Sequence, residues 1–246
     1  MAETLFDLAP EGPPPLPAAI PAPFSAPAFP EVLLSLSRSV NPRWRQCYGH
    51  AAPPVATDRS FAALRLGITL TESFCAAYAR DADQAGQQLA DAAAVEKMLG
   101  ISETTRPRHL LLQEFAKSGE WEVFRQSLAS LCDEQRAALE EQRDPDLARL
   151  LPVAAWLRTL EIEAALLANA SAPTLDPVGM HPDVVTWIQA ELSQLDDSTR
   201  SNRSVARCIQ AFDRLSRLLQ HPVTEGGRRE KLLEVLQTTL ARLQTP

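Results

Sequence analysis

The chain has 246 residues, 45% of them hydrophobic, with a formal net charge of −7 and a pI near 5.2. This length suits one large domain, or a smaller domain with a tail. The acidic balance argues against a general polyanion-binding protein, but the charge is uneven. Residues 200–246 hold nine Arg and Lys against four Asp and Glu, so this end of the chain is cationic.

No apolar run approaches the ~20 residues of a membrane span. Residues 1–17 lack the basic region and the apolar region of an export signal. The sequence as written therefore favours a cytoplasmic protein. The alternative is a periplasmic or otherwise exported protein whose mature chain begins at residue 2.

The first part of the chain is rich in proline, since twelve of the twenty prolines fall in residues 1–54. Each proline fixes φ and removes a backbone donor, which disfavours helices and central strands. The run FPEVLLSLSRSV predicts one short helix packed on the main domain, and NPRWRQCYGHAAPP predicts a loop. We expect a proline-rich, largely unstructured arm over residues 1–55 and a helical domain over residues 56–246. The arm acts either as a spacer or, through PPPLP, as a ligand for an aromatic groove.

Helical periodicity dominates from Asp58 onward, and no strand pattern is evident. Asp58 suits an N-cap, Gly100 suits the position after a helix, and Pro107 suits a first turn. The predicted helices cover residues 58–80, 82–99, 106–117, 120–143, 145–170, 182–196, 202–220 and 228–243. Short connections favour antiparallel neighbours, so the predicted class is an all-α bundle of helical hairpins. A short solenoid of hairpins is the alternative.

Motifs for common chemistries are missing from the sequence. There is no GxGxxG or GxxxxGK[ST], so the sequence does not indicate a glycine-rich phosphate-binding loop. There is also no GxSxG, the motif of a nucleophilic serine at a strand-to-helix turn. No two histidines lie three or four residues apart, and no cysteine pair has metal-ligand spacing. Cys75, Cys132 and Cys208 lie in apolar helical registers, which predicts buried free thiols. We therefore predict no catalytic, cofactor-binding or metal-binding residue.

The predicted helix over residues 202–220 is amphipathic and carries a basic stripe. At 100° per residue, four arginines fall close to one line, with His221 at its end. The stripe comprises Arg203, Arg207, Arg214 and Arg217. The opposite side is apolar, so the basic side faces outward. It is either a solvated face or a binding surface for an acidic protein or, less favoured, for nucleic acid.

The stretch RDPDLARLLPVAAWLRTLE, residues 143–161, predicts a core helix that begins at Pro145. An interior proline disrupts a helix, so Pro152 predicts either a kink or a restart. The small residues Ala154 and Ala155 predict a close approach by another helix. Three further side chains are candidates for a structural role or for lining a pocket, namely Trp156, Arg158 and Glu161. Arg158 and Glu161 are spaced to pair within the helix.

Three segments carry a resemblance to known proteins: GEWEVFRQSL (119–128), QRDPDLARLLPVAAWLRTLE (142–161) and HPDVVTWI (181–188). They resemble an uncharacterised family of bacterial all-helical proteins with GDW…LR and LRDxxLAxLxxxxxWLRxLE segments. The resemblance covers about residues 60–220. It departs at Pro152 and at the Ala154–Ala155 pair, where the family has Gly-Gly. It implies an all-helical fold and no particular activity, and the exported appearance of similar proteins supports the periplasmic alternative.

These observations favour a non-catalytic helical structural or protein-interaction protein. The second hypothesis is an adaptor or regulator that binds an acidic surface through the arginine stripe. The third is an enzyme, which a deep polar pocket holding His109 or Glu161 beside a second titratable group would favour. A protein partner is favoured over nucleic acid, no cofactor is implied, and the oligomeric state is left open.

Overall fold

The computed structural model describes residues 28–39, 42–48, 58–168, 181–220 and 225–243. These residues form ten α-helices and one 3₁₀ turn (Trp44–Gln46), and they contain no strand. The helices are α1 (Phe29–Ser39), α2 (Arg59–Ala79), α3 (Ala82–Leu99), α4 (Ser102–Ser118), α5 (Trp121–Glu141), α6 (Pro145–Ala168), α7 (Pro182–Ser193), α8 (Asp197–Arg200), α9 (Arg203–Gln220) and α10 (Glu225–Leu243). The predicted all-α bundle is confirmed. None of the described helices combines the length and apolar composition that crossing a bilayer requires.

Helix α2 forms the centre of the bundle. Every residue from 61 to 77 is buried, including the polar Arg65, Thr71 and Glu72. This helix is therefore enclosed by its neighbours, which include α1, α3, α5, α6 and α9. Its largest contact is with α6, so these two helices set the position of the others.

Helices α2 and α6 approach closely at Gly67. A Cβ atom at this position would lie 2.2 Å from the carbonyl oxygen of Leu151 and 3.0 Å from the Cβ of Ala154. One turn further along α2, Thr71 Oγ1 donates to the carbonyl oxygen of Ala155 at 3.2 Å. The close helix approach predicted at Ala154 and Ala155 is thereby confirmed.

The helix ends between α2 and α5 follow the local sequence signals. The Asp58 side chain accepts from the Ser60 N–H, and the Asp81 side chain accepts from the Gln84 N–H, as N-caps do. Gly100 and Gly119 end α3 and α4 in the left-handed region, with φ of 78° and 74°. The predicted cap at Asp58 and the predicted helix end at Gly100 are confirmed.

Two expectations about proline need correction or refinement. Helix α4 begins at Ser102, so the predicted start at residue 106 with Pro107 in the first turn is wrong. The carbonyl that Pro107 leaves without a donor belongs to the exposed Glu103, where water can replace the missing N–H. Helix α6 continues through Pro152 as one helix, so the restart alternative is wrong.

Residues 28–39 and 42–48 pack on the same core as the later helices. The predicted short helix is present as α1, and Phe29 meets Phe74 of α2 edge to face at 5.6 Å between ring centroids. The segment predicted as a loop contains a 3₁₀ turn whose Trp44 is buried and stacks on Tyr78 at 4.8 Å. Residues 1–27 lie outside the described residues, so the arm there stays a prediction.

The C-terminal helices cover the rest of α6. The predicted inner face of α7 and its extension is confirmed, because all four of its residues are buried: Val184, Ile188, Leu192 and Leu195. A single-turn helix, α8, separates α7 from α9, and the sequence analysis missed it. Four residues are too few to show a helical hydrophobic period.

Candidate functional site

Helix α9 has the amphipathic character that the sequence predicts. Its inner side chains are buried, namely Val205, Cys208, Phe212 and Leu215. Asn202 caps the helix, because its Oδ1 accepts from the Ser204 N–H at 2.9 Å. The Asn202 amide also donates to Asp58 Oδ2 at 2.5 Å, which joins the start of α9 to the start of α2.

The four arginines of the predicted stripe have different environments. Arg207 is half-buried, and its Nη1 donates to the carbonyl oxygen of Arg242 at 2.9 Å, in the last turn of α10. A cation is favourable there because the C-terminal end of a helix is partially negative. Arg203, Arg214 and Arg217 are exposed. His221 lies outside the described residues.

Helices α9 and α10 run antiparallel and leave a groove of about 490 Å³ between them. Three cationic side chains border it: Arg214 and Arg217 of α9 and Lys231 of α10. Leu218 and Val235 supply apolar surface, and the other described residues of the lining are Glu234 and Thr238. We call this the cationic groove. Among the described residues, its border carries three cations and one carboxylate, a local charge opposite in sign to that of the whole chain.

A carboxylate of α9 next to the groove is hydrogen-bonded to a neutral amide of α7 rather than to an arginine of the groove. Asp213 lies on α9, but its Oδ1 accepts from the Gln189 amide of α7 at 2.8 Å. The Arg217 Nε donates to the backbone oxygen of Asp213 at 3.1 Å, which fixes the start of the guanidinium without neutralising it. A carbonyl acceptor leaves the positive charge available to a partner.

The buried Arg158 holds together α2, α6 and the segment before α2. Its Nη2 lies 3.1 Å from Glu72 Oε1 of α2 and donates to the Cys47 carbonyl oxygen at 2.6 Å. Its Nη1 pairs with Glu161 Oε2 at 2.5 Å, as the sequence spacing predicts. Burial by itself lowers the pKa of Arg158, but the carboxylates of Glu72 and Glu161 outweigh it, and the net shift is upward.

A second buried polar cluster lies between α3, α4 and α5. The carboxylate of Glu96, 1% exposed, accepts from Thr105 Oγ1 at 2.6 Å and from the Gln135 amide at 2.5 Å. His109 Nε2 lies 2.8 Å from the same carboxylate. The sequence analysis missed Glu96 and Gln135. The signal available for Glu96 was its position on the inner face of α3, in register with the buried Ala92 and Leu99.

His109 and Glu161 thus each lie beside a second titratable group, as an enzyme would require. Both clusters, however, are packed in the helix interior, and neither His109 nor Glu161 lines the cationic groove. Among the described residues, no three His, Cys, Asp or Glu side chains are placed to hold a metal ion. The four cysteines are free thiols, and of the three predicted to be buried only Cys132 is partly exposed.

A larger groove of about 650 Å³ lies between α1, α5, α6 and α7. Trp156 of α6 and Trp187 of α7 line it, and we call it the tryptophan groove. Other lining residues are Phe29, Pro30, Cys132 and Pro152. Trp156 is 2% exposed, while Trp187 is half-buried. The structure therefore places Trp156 on a groove and Arg158 and Glu161 in the interior cluster.

Comparison of the chain with protein-family models, with curated proteins and with solved structures finds no significant match. The resemblance to the bacterial helical family stays a prediction.

Proposed function

We propose that the protein is a non-catalytic helical interaction protein that binds an acidic protein surface through the cationic groove. The observation that carries this proposal is the convergence of Arg214, Arg217 and Lys231 from two helices around apolar surface. Charges of one sign around a groove attract a partner of opposite sign and orient it.

The buried titratable groups support a structural rather than a catalytic role. Glu96 with His109 and Arg158 with Glu72 form enclosed polar clusters within the packed helices. A general acid or base must come within hydrogen-bond reach of a substrate. Breaking a buried pair leaves an uncompensated charge, so such clusters fix the relative positions of the helices that they join.

The shape of the cationic groove favours an amphipathic acidic helix as the partner. Leu218 and Val235 provide surface for apolar side chains, and the surrounding cations provide partners for Asp or Glu. Helices recognised in this way place apolar residues in the groove and polar residues at its borders. Nucleic acid is the competing candidate, but the net charge of −7 repels a long polyanion beyond this groove.

The test is charge reversal within the groove. Tagged full-length protein captures its partners from an extract of its own cells, after fractionation of those cells, and each identified partner is then titrated. We expect Arg214→Glu with Arg217→Glu to weaken binding by roughly tenfold to a hundredfold, and added salt to weaken the original interaction. Arg207 is left unchanged because it holds the end of α10.

The matched control reverses two exposed cations on α4, Arg106→Glu with Lys117→Glu, which alters the net charge equally. Circular dichroism verifies that both double variants are folded. Equal binding by the groove variant and the original protein would contradict the proposal. Capture that is abolished by nuclease treatment would replace the acidic protein with nucleic acid as the partner.

A further inference from the structure

The tryptophan groove has the size and lining of a binding site. Its volume of about 650 Å³ falls within the roughly 300–1,000 Å³ of typical ligand pockets. Three aromatic residues line it, together with Pro30 and Pro152: Phe29, Trp156 and Trp187. Grooves lined by aromatic rings accept proline-rich segments, whose extended helix is already formed before binding.

The charges at the border of the tryptophan groove favour an uncharged occupant. Two arginines, Arg136 and Arg149, lie among three carboxylates, namely Asp133, Glu140 and Glu191. Arg149 Nε lies 3.8 Å from Glu191 Oε2, so one of these cations already has a partner. With two cations against three carboxylates among the described lining residues, the border disfavours an anion and offers a cation only a small excess of negative charge.

The chain itself supplies an uncharged, proline-rich segment next to this groove. Ala28, the residue before α1, lines the groove together with Phe29 and Pro30. Residues 13–27, which lie outside the described residues, read PPPLPAAIPAPFSAP and contain seven prolines and no charged side chain. They also contain three large apolar side chains, namely Leu16, Ile20 and Phe24.

We propose that the tryptophan groove is the docking site of this chain's own residues 13–27. Because Ala28 is at the groove, an extended chain would place Phe24 only about 12 Å away along the segment. Covalent linkage gives the segment an effective concentration that is roughly millimolar, which favours it over the same segment of another molecule. Docking removes from water the apolar surface of the segment and the part of Trp187 that is still exposed.

The experiment is a photo-crosslink from the groove in the full-length chain. The photoreactive amino acid p-benzoylphenylalanine replaces Arg136, which is exposed and lines the groove. After irradiation of dilute protein, we expect crosslinks within one molecule to peptides from residues 13–27, identified by mass spectrometry. The control carries the same amino acid in place of Leu110, 57% exposed on α4, and we expect no crosslink to this segment.

Two further variants of the crosslinking protein test the recognition itself. We expect the combined Leu16→Ser, Ile20→Ser and Phe24→Ser substitutions to lower the crosslink yield at position 136 by about tenfold. The matched combination of Leu5→Ser, Phe6→Ser and Leu8→Ser, outside the segment, should leave the yield unchanged. Trp187→Ser should lower it, with folding verified by circular dichroism.

Crosslinks that reach no residue between 13 and 27 would overturn the proposal. So would crosslinks to this segment found only in dimers, because the occupant would then be a second copy. Equal yields from the two serine variants would show that proximity to Ala28, and not recognition, produces the crosslink.

Discussion

Gly67 permits the contact between the two central helices. Replacing it with alanine would put a Cβ 2.2 Å from the Leu151 oxygen and 2.9 Å from the Ala155 nitrogen. Both are backbone atoms, so no rotation of a side chain can relieve the clash. We expect Gly67→Ala to lower the free energy of unfolding by about 1–3 kcal/mol or more, measured by urea denaturation.

Gly86 provides the matched control for this substitution. It lies within α3, and a Cβ there meets no atom within 4 Å. Gly86→Ala should therefore raise the free energy of unfolding by about 0.5–1 kcal/mol, since alanine is the better helix former. Changes of the same sign in the two variants would contradict the close contact at Gly67.

The contacts of individual side chains could be predicted from the sequence only where both partners are close along the chain. The caps at Asp58 and Gly100 depend on residues within a few positions, so they could be predicted. The hydrogen bond from Arg158 to the Cys47 carbonyl joins residues 111 positions apart, and that from Gln135 to Glu96 joins residues 39 apart. No local pattern specifies such partners, because they depend on which helices pack together.

At the scale of the helix, α6 contains a proline where none is expected. Pro152 provides no N–H to the carbonyl of Ala148, yet α6 is continuous from Pro145 to Ala168. Both Ala148 and Pro152 line the tryptophan groove, so the missing hydrogen bond lies on the side of α6 that borders this groove.

Replacing this proline should stabilise the helix. We expect Pro152→Ala to raise the free energy of unfolding by up to about 3 kcal/mol, because it restores the hydrogen bond to the Ala148 carbonyl. Thermal and urea denaturation both measure the change, and Pro107→Ala in α4 offers the parallel substitution at an exposed position. A less stable Pro152→Ala protein would show that the packing of the proline ring outweighs the missing bond.

The bounds of helices were predicted correctly where the apolar residues kept a helical spacing over several turns. The bounds of α2 and α3 match the sequence to within one residue, and the buried face of α9 was predicted correctly. The beginning of α4 was predicted four residues too late, because Pro107 is tolerated inside this helix. The arginine stripe on α9 could be predicted from the sequence. The position of Lys231 beside it and the hydrogen bond from Arg207 to α10 could not, because both depend on how α9 and α10 pack together.

At the scale of the whole molecule, several protonated groups lie where the N-terminal segment meets α2. Burial raises the pKa of the Cys47 thiol from 9.0 to about 11, although Arg158 opposes the shift. Burial and the hydrogen bond to Asp81 raise the pKa of Tyr48 from 10.0 to about 12. Burial likewise raises the pKa of Tyr78 from 10.0 to about 12. The folded protein therefore retains protons that the unfolded chain releases.

This difference in proton binding makes the protein less stable in alkali. The contribution of Cys47 is fully present below pH 9.0 and is lost as the pH rises toward about 11. We expect the free energy of unfolding, measured by urea denaturation, to fall over this interval, and to fall less steeply in Cys47→Ala. Val32→Ala, which removes a buried non-ionisable side chain of α1, should lower stability at every pH and leave the slope unchanged. Identical slopes for the Cys47→Ala and Val32→Ala proteins would contradict the assignment.

The contact between α2 and α6 also bears on how the chain folds. Thr71 and Ala155, which are joined by a hydrogen bond, are separated by 84 residues. Bringing them together closes a long loop of chain. The loss of conformational entropy on closing this loop opposes folding before the contact can stabilise the protein. The hairpins of α3, α4 and α5 lie within that loop and join neighbours in the chain, so their formation shortens the distance to be closed. The buried contact between α2 and α6 therefore depends, for its formation, on the earlier folding of the hairpins of α3, α4 and α5.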